Sequence, residues 1–263
     1  MVLVAQIHER VYAIPMKITF SSLNVQSFTD WDHRKANIVD YLKQTNPDVV
    51  LFQEVTFLPQ INADNQVSLI NKSMHYIFEN TAITRLQDSH EYETYREGLG
   101  LISKYPILKS ETIILKQQPH DEHQRIVQLV DILCKDKIIK FANIHFSISD
   151  NDENLPREHL VELLEILKSR GETRIMGGDF NMNDIDIHQD LWKDAYICSS
   201  STPYITYPAM DKRVDYFLLP KEYEFTEITT SGDGLSDHRA LTVTAQDVEL
   251  VVPSVESIAY QAA

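Results

Sequence analysis

The feature that most constrains this chain is a series of short apolar runs, each ending in polar residues with chemical capability. Val49-Val50-Leu51-Phe52 is continuously apolar, which marks a strand buried on both faces, and it delivers Gln53-Glu54 at its end. Arg174-Ile175-Met176 is a second such strand and opens into Gly177-Gly178-Asp179-Phe180-Asn181. Residues two apart point the same way from an extended backbone, so Asp179 and Asn181 share a side. Ser236-Asp237-His238 sets an acid beside a histidine just before the apolar run Ala240-Leu241-Thr242-Val243. A chain of this kind must cover its strands on both faces while leaving their ends open.

The elements between these runs follow from periodicity. Lys17 to Val25 alternates apolar and polar residues, a strand ending at Asn24. Residues 32–44 carry Ala36, Ile38, Val39 and Leu42 at helical spacing, and Asn46-Pro47-Asp48 stops that helix. A second helix is expected over residues 59–72. Gly98 to Ser103 reads as a strand closed by Lys104-Tyr105-Pro106, followed by strands over 110–116, 125–134 and 137–146. Leu155 to Lys168 is the clearest helix, with Leu160, Val161, Leu163, Leu164 and Leu167 on one face. Arg157 and His159 open it and are expected to face outward. The acid-rich residues 149–153 before it read as a solvated loop. Val214 to Leu219 and the strand after His238 complete the series. Many strands with a few interleaved helices predict a four-layer α/β sandwich: two mostly antiparallel sheets face to face, helices outside. One domain is expected over 1–263, with its core at about 15–247 and a tail from 248 to 263.

Composition narrows the partners. The net charge is −15, and no Lys/Arg cluster offers the phosphate neutralisation on which duplex binding depends. Nucleic acid is therefore disfavoured as a partner, although a local basic groove stays compatible. The two cysteines, Cys134 and Cys198, make neither a disulfide framework nor a zinc site, and Cys134 is expected in the core. The first residues lack a basic segment followed by a long apolar one, and no run reaches membrane-spanning length. The cytoplasm is the expected location.

Polar residues thus fall at successive strand ends: Asn24, Glu54, His145, Asp179 with Asn181, Asp215, and Asp237 with His238. Taken singly, Asn24 serves equally well as a turn cap, and His145, between Ile144 and Phe146, reads as a satisfied core histidine before it reads as a site residue. Asp215 is different, because a carboxylate inside an apolar run needs a partner or a metal. Carboxylates, an amide and imidazoles together are what metal-assisted attack on a phosphate ester requires.

The ordered set Asn-Val, Gln-Glu-Val, Gly-Leu-Gly-Leu-Ile-Ser, Asn-Ile-His, Gly-Gly-Asp-Phe-Asn, Val-Asp-Tyr and Ser-Asp-His, from residue 24 to 238, resembles the endonuclease/exonuclease/phosphatase superfamily. The resemblance implies a metal-dependent hydrolase of phosphate esters. It casts Glu54 as principal magnesium ligand with Asn24 and Asp237 nearby, manganese being able to substitute. Asp179 would orient or deprotonate the attacking water, and Asn181 would hold that water or a phosphate oxygen. His238 would donate to a non-bridging oxygen, and His145 would contact the phosphate or assist the leaving group. Asp215 would orient a catalytic group. Branches of the family divide the acid and base roles differently and use one metal or two. Arg125, at a strand start, fits a phosphate clamp and a surface salt bridge equally. Arg213 reads as structural, and Thr206 to Met210 as a loop whose aromatic is read first as ordinary packing, with lining the cleft as the alternative. The leading expectation is a phosphodiesterase or phosphatase acting on a small or single-stranded substrate. The alternatives are a DNA or RNA nuclease of the same fold, and a catalytically silent scaffold.

Overall fold

The computed structural model describes residues 15–87, 95–117, 121, 123–148 and 154–248. The elements in chain order are β1 (Lys17–Asn24), α1 (Trp31–Thr45), β2 (Val49–Phe57), α2 (Gln66–Met74), β3 (Phe78–Gln87), β4 (Tyr95–Ser103), β5 (Ile107–Ile114), β6 (Ile126–Cys134), β7 (Lys137–His145), α3 (Asn154–Ser169), β8 (Ile175–Asp179), α4 (Gln189–Trp192), β9 (Tyr196–Cys198), β10 (Asp215–Pro220), β11 (Tyr223–Thr230) and β12 (Leu241–Asp247). They form two six-stranded sheets, ordered β11-β12-β1-β2-β4-β3 and β5-β6-β7-β8-β10-β9. All pairings are antiparallel except β1 with β2 and β7 with β8, one central parallel pair in each sheet. A parallel pair needs a crossover, and α1 and α3 supply the two.

Strand alternation sorts the side chains into three apolar layers. Ile18, Phe20, Val49, Leu51, Phe141, Ile175 and Phe217 fill the space between the sheets, where Phe20 packs edge-on against Phe141 and Phe217 with ring centroids 5.5 and 4.8 Å apart. Leu23, Val50 and Phe52 face the other way, onto Ile38 and Leu42 of α1 and Val67 and Ile70 of α2. Ala142, Ile144, Met176 and Leu218 meet Leu160, Leu163 and Leu167 of α3. The expected sandwich is the one observed. Because the two parallel pairs run to the same end of the molecule, the C-terminal ends of β1, β2, β7 and β8 converge there.

Several expectations need correction. The helix expected over 59–72 begins only at Gln66, where the Asn65 side chain accepts the Ser68 N–H. Asn62 holds the preceding loop by accepting the Asp64 N–H, so local side-chain bonds outcompete helix there. Strands β3, β9 and β11 carried no clear sequence signal; β11 is an edge strand, half-exposed along its length, so burial leaves little imprint on its residues. His159 does not face outward: it is 1% exposed, against the Phe146 ring. Its position on α3, next to Leu160 and Leu163, puts it on the buried stripe. Cys134 is buried as expected. The loop at 149–153 and the tail beyond 248 lie outside the described residues. Among the described residues no helix is long and apolar enough to cross a membrane.

Candidate active site

The converging strand ends bring the sequence-predicted residues together, including one that alternation alone would misplace. On β2, Val49, Leu51 and Gln53 face the opposite sheet, so Glu54 should face α1 and α2. A bulge prevents this: Phe52 pairs with Gly100 and Val55 with Gly98, leaving two β2 residues opposite one of β4. Glu54 takes φ 54° within it, a left-handed conformation uncommon for a residue with a side chain. Its carboxylate thereby reaches Asn24, whose Nδ2 donates to Glu54 Oε1 and to Asp179 Oδ2, both at 3.1 Å. The Asn24 oxygen accepts the Gln26 N–H at 3.0 Å and keeps a second lone pair.

Asp179 is the pivot. Its Oδ1 accepts the Asn181 N–H at 2.9 Å. Its Oδ2 lies 3.6 Å from His145 Nε2 and 3.8 Å from His238 Nε2. Burial, reinforced by the charge of Asp215, raises the Asp179 pKa to about 6 against the pull of His238, Asn24 and the Asn181 N–H. Asn181 also has positive φ, 52°, and its Nδ2 donates to the Phe146 carbonyl at 2.8 Å, so its orientation is fixed.

The two histidines are held from behind by different partners. His238 Nδ1 meets Asp215 Oδ2 at 2.8 Å. Burial disfavours charge on this imidazole, but Asp215 and Asp179 outweigh it and lift its pKa to about 10. Ser236 braces the turn: its hydroxyl accepts the His238 N–H and donates to the Asn24 carbonyl, at 2.8 and 2.7 Å. The Tyr207 ring lies 5.0 Å from that of His238, which brings the expected loop to the cleft. His145 Nδ1 stands 3.1 Å from Arg125 Nη1. A guanidinium only donates, so Nδ1 is the acceptor and Nε2 carries the proton. Arg125 itself is 7% exposed rather than a surface residue, and its Nε donates to Ser147 Oγ. Ser147 in turn bonds Asp121, which His159 approaches at 3.4 Å. Arg213 stacks on Tyr204 and Tyr216 and bonds the Ser200 carbonyl, a structural placement.

Two features bear on a metal. Glu54 is pushed up to about 7 by burial, then by Glu97, with Asp237 adding to it. Asp237 Oδ1 is buried without a hydrogen-bond partner among the described residues. Crowded, under-neutralised oxygens of this kind fit a hard divalent cation. Atoms of Asp179, Asp215 and His238 also lie within 4.8 Å of one another. There the Asp215–His238 hydrogen bond occupies His238 Nδ1, so a metal at this cluster would have to take the place of the proton on Nε2. Sequence reasoning missed Glu97, Ser147 and Asp121, which sit in no motif. Glu97 is 5% exposed because β4 starts at Tyr95, three residues before the apolar run begins.

The profile of the Endonuclease/Exonuclease/phosphatase family matches residues 21–238. Among curated proteins, Uncharacterized protein L388 of Acanthamoeba polyphaga mimivirus is 26% identical over 167 residues, 59% of this chain and 60% of that protein. The chain thus aligns with less than two thirds of its relative's length. Among solved structures, an endonuclease/exonuclease/phosphatase from Beutenbergia cavernae DSM 12333 superposes with TM-score 0.73 at 16% identity, covering 88% of this chain and 72% of that one. The mannosyl-6-phosphatase Bt3783 of Bacteroides thetaiotaomicron VPI-5482 gives TM-score 0.65 at 15% identity, covering 86% and 98%. At such identities the superpositions speak for the fold. The profile match, spanning every strand end that meets in the cleft, decides the family: this chain belongs to the endonuclease/exonuclease/phosphatase family, whose members hydrolyse phosphate esters.

Proposed function

We propose that the chain is a magnesium-dependent phosphodiesterase or phosphatase acting on a small or single-stranded phosphate ester. The observation that carries this is Asp179: a carboxylate with its pKa raised to about 6, flanked at 3.6 and 3.8 Å by the Nε2 atoms of two imidazoles. Ionised at neutral pH yet more basic than an ordinary aspartate, it is matched to orienting a water and accepting its proton. His238, charged and anchored by Asp215, donates from Nε2 to a non-bridging phosphate oxygen as negative charge builds. His145 presents a second Nε2–H, fixed by Arg125, toward the phosphate or the leaving oxygen. Arg125 adds positive charge beside a small cleft that Glu97 and His145 also line. Asn181, clamped by the Phe146 carbonyl, holds the water or a phosphate oxygen.

Members of this family generally depend on a divalent metal, and Glu54, Asp237 and Asn24 are the residues that would hold magnesium. When bound, the ion would supply Lewis-acid polarisation of the phosphate. The net charge of −15 supports a small or single-stranded substrate over duplex DNA. A sugar monophosphatase on the same scaffold, the mannosyl-6-phosphatase, supports a small substrate.

The test is hydrolysis by the purified chain, with magnesium or with chelator, across generic mono- and diesters, single- and double-stranded oligonucleotides, a sugar phosphate and a phospholipid. Chelator-sensitive turnover of one class, lost in Asp179→Asn, is expected. Turnover that survives either treatment overturns the proposal.

A further inference from the structure

The bulge that delivers Glu54 is plugged by a side chain from the opposite sheet. Asn143 sits on β7 two residues before His145, on the same inward face. It is fully buried. Its Nδ2 donates to the carbonyls of Phe52 at 3.1 Å and Gly100 at 3.0 Å, the two residues whose pairing closes the bulge on one side. Its Oδ1 accepts from Gln53 Nε2 at 2.8 Å. Gln53 is tied further, to Ser22 of β1, while the Gln53 carbonyl accepts the Val25 N–H at 3.0 Å. Both residues neighbouring Glu54 on its N-terminal side are therefore fixed by one carboxamide reaching across the sandwich. Left-handed backbone at a residue with a side chain is strained and persists only where its surroundings over-determine it.

We propose that Asn143 is a positioning residue for Glu54: by filling the β2 bulge from the facing sheet, it holds the left-handed turn that swings this carboxylate into the cleft. The same residue couples the two halves of the site, because the strand that carries it also carries His145. The role rests on the reading of Glu54 as a magnesium ligand. A control comes from the third acceptor around the same amide nitrogen: Asn143 Nδ2 also reaches Gln128 Oε1 at 3.0 Å, so its two hydrogens are shared among three acceptors, and Gln128 continues to Asn80 on β3.

Three variants decide the matter. Asn143→Ala removes the plug. Asn143→Asp keeps its shape and one acceptor oxygen but removes the amide donor that serves the Phe52 and Gly100 carbonyls and Gln128. Gln128→Met removes an equally buried partner of the same amide that is not part of β2. Magnesium affinity of the folded proteins, read by titration calorimetry, should weaken about 10- to 100-fold in both Asn143 variants, the usual range when a ligand's support is removed. In Gln128→Met it should stay within about two-fold, although that variant also loses stability. Hydrogen exchange at the Glu54 and Val55 amides should accelerate in the Asn143 variants beyond the change at Val50 and Leu51. This readout needs neither metal nor substrate. If the parent chain binds no magnesium, the proposed function fails while the exchange arm still judges Asn143. Folded Asn143 variants with parental affinity and exchange overturn the inference. So does failure of both to fold while Gln128→Met folds, since Asn143 would then be required for the sandwich as a whole.

Discussion

His159 makes the stability of this protein depend on pH in a direction that the structure dictates. Its Nδ1 accepts the Ser147 N–H at 3.4 Å, so the proton of the neutral ring sits on Nε2, which points toward Asp121 Oδ2 at 3.4 Å. Burial lowers its pKa to about 4; Asp121 opposes the shift and Arg125 adds to it. The unfolded chain takes up this proton near 6.5 and the folded chain only near 4. Protonation between those values therefore favours unfolding. The contribution of His159 is complete above the unfolded value and is lost as pH falls through the window. A shift of this size is worth at most about 3 kcal/mol, a large part of the roughly 5–15 kcal/mol by which domains are stable. Asp179 and Glu54, raised to about 6 and about 7, slope the other way, because the folded state holds their protons more tightly. The comparison must therefore be between the parent and His159→Leu, by urea unfolding at half-unit steps from about pH 4 to about pH 8. The parent should gain up to about 3 kcal/mol relative to the variant as pH rises from about 4 to about 6.5, and nothing above that. Parallel curves across the window would refute the assignment of His159 as a buried neutral imidazole.

Other perturbations follow from the same geometry. Asp215→Asn removes the anion that keeps His238 charged, so kcat should drop about 10²- to 10⁴-fold. Any residual alkaline limb should move down from near pH 10 toward neutrality in a pH–rate profile. Gly178→Ala should destabilise by about 3 kcal/mol or more in chemical unfolding. Its φ is +142°, and an added Cβ would meet the Ile144 carbonyl oxygen at 2.1 Å on the parallel neighbour strand. Magnesium at about a hundredfold its Kd should stabilise the chain by about 2.7 kcal/mol. A melting-temperature shift that chelator reverses and Glu54→Gln abolishes would show it.

Much of this molecule was legible in its residues. Continuous apolar runs such as Val49 to Phe52 announce strands covered on both faces, and the stripe from Leu160 to Leu167 announces a helix. Those demands leave a covered double sheet as the economical solution, and the polar residue ending each run marks where that solution opens to solvent. The sequence alone determined the layers and which strand-end residues meet in the cleft, though not Glu97, Ser147 or Asp121 beside them, because burial and period act locally and leave a local imprint. It could not determine how those residues face one another. Edge strand β11 is silent in the sequence because it is half-exposed, and the pattern points His159 outward because one polar residue on a helix carries no sign of what packs over it. Arg125 behind His145, and Asn143 inside the bulge of β2, are separated from their partners by 20 and 91 residues of chain. Only tertiary structure decides such pairings. They depend on the register between strands and on a bulge that turns Glu54 against the strand's own alternation, and both are fixed by packing across the sandwich rather than by neighbours in the chain.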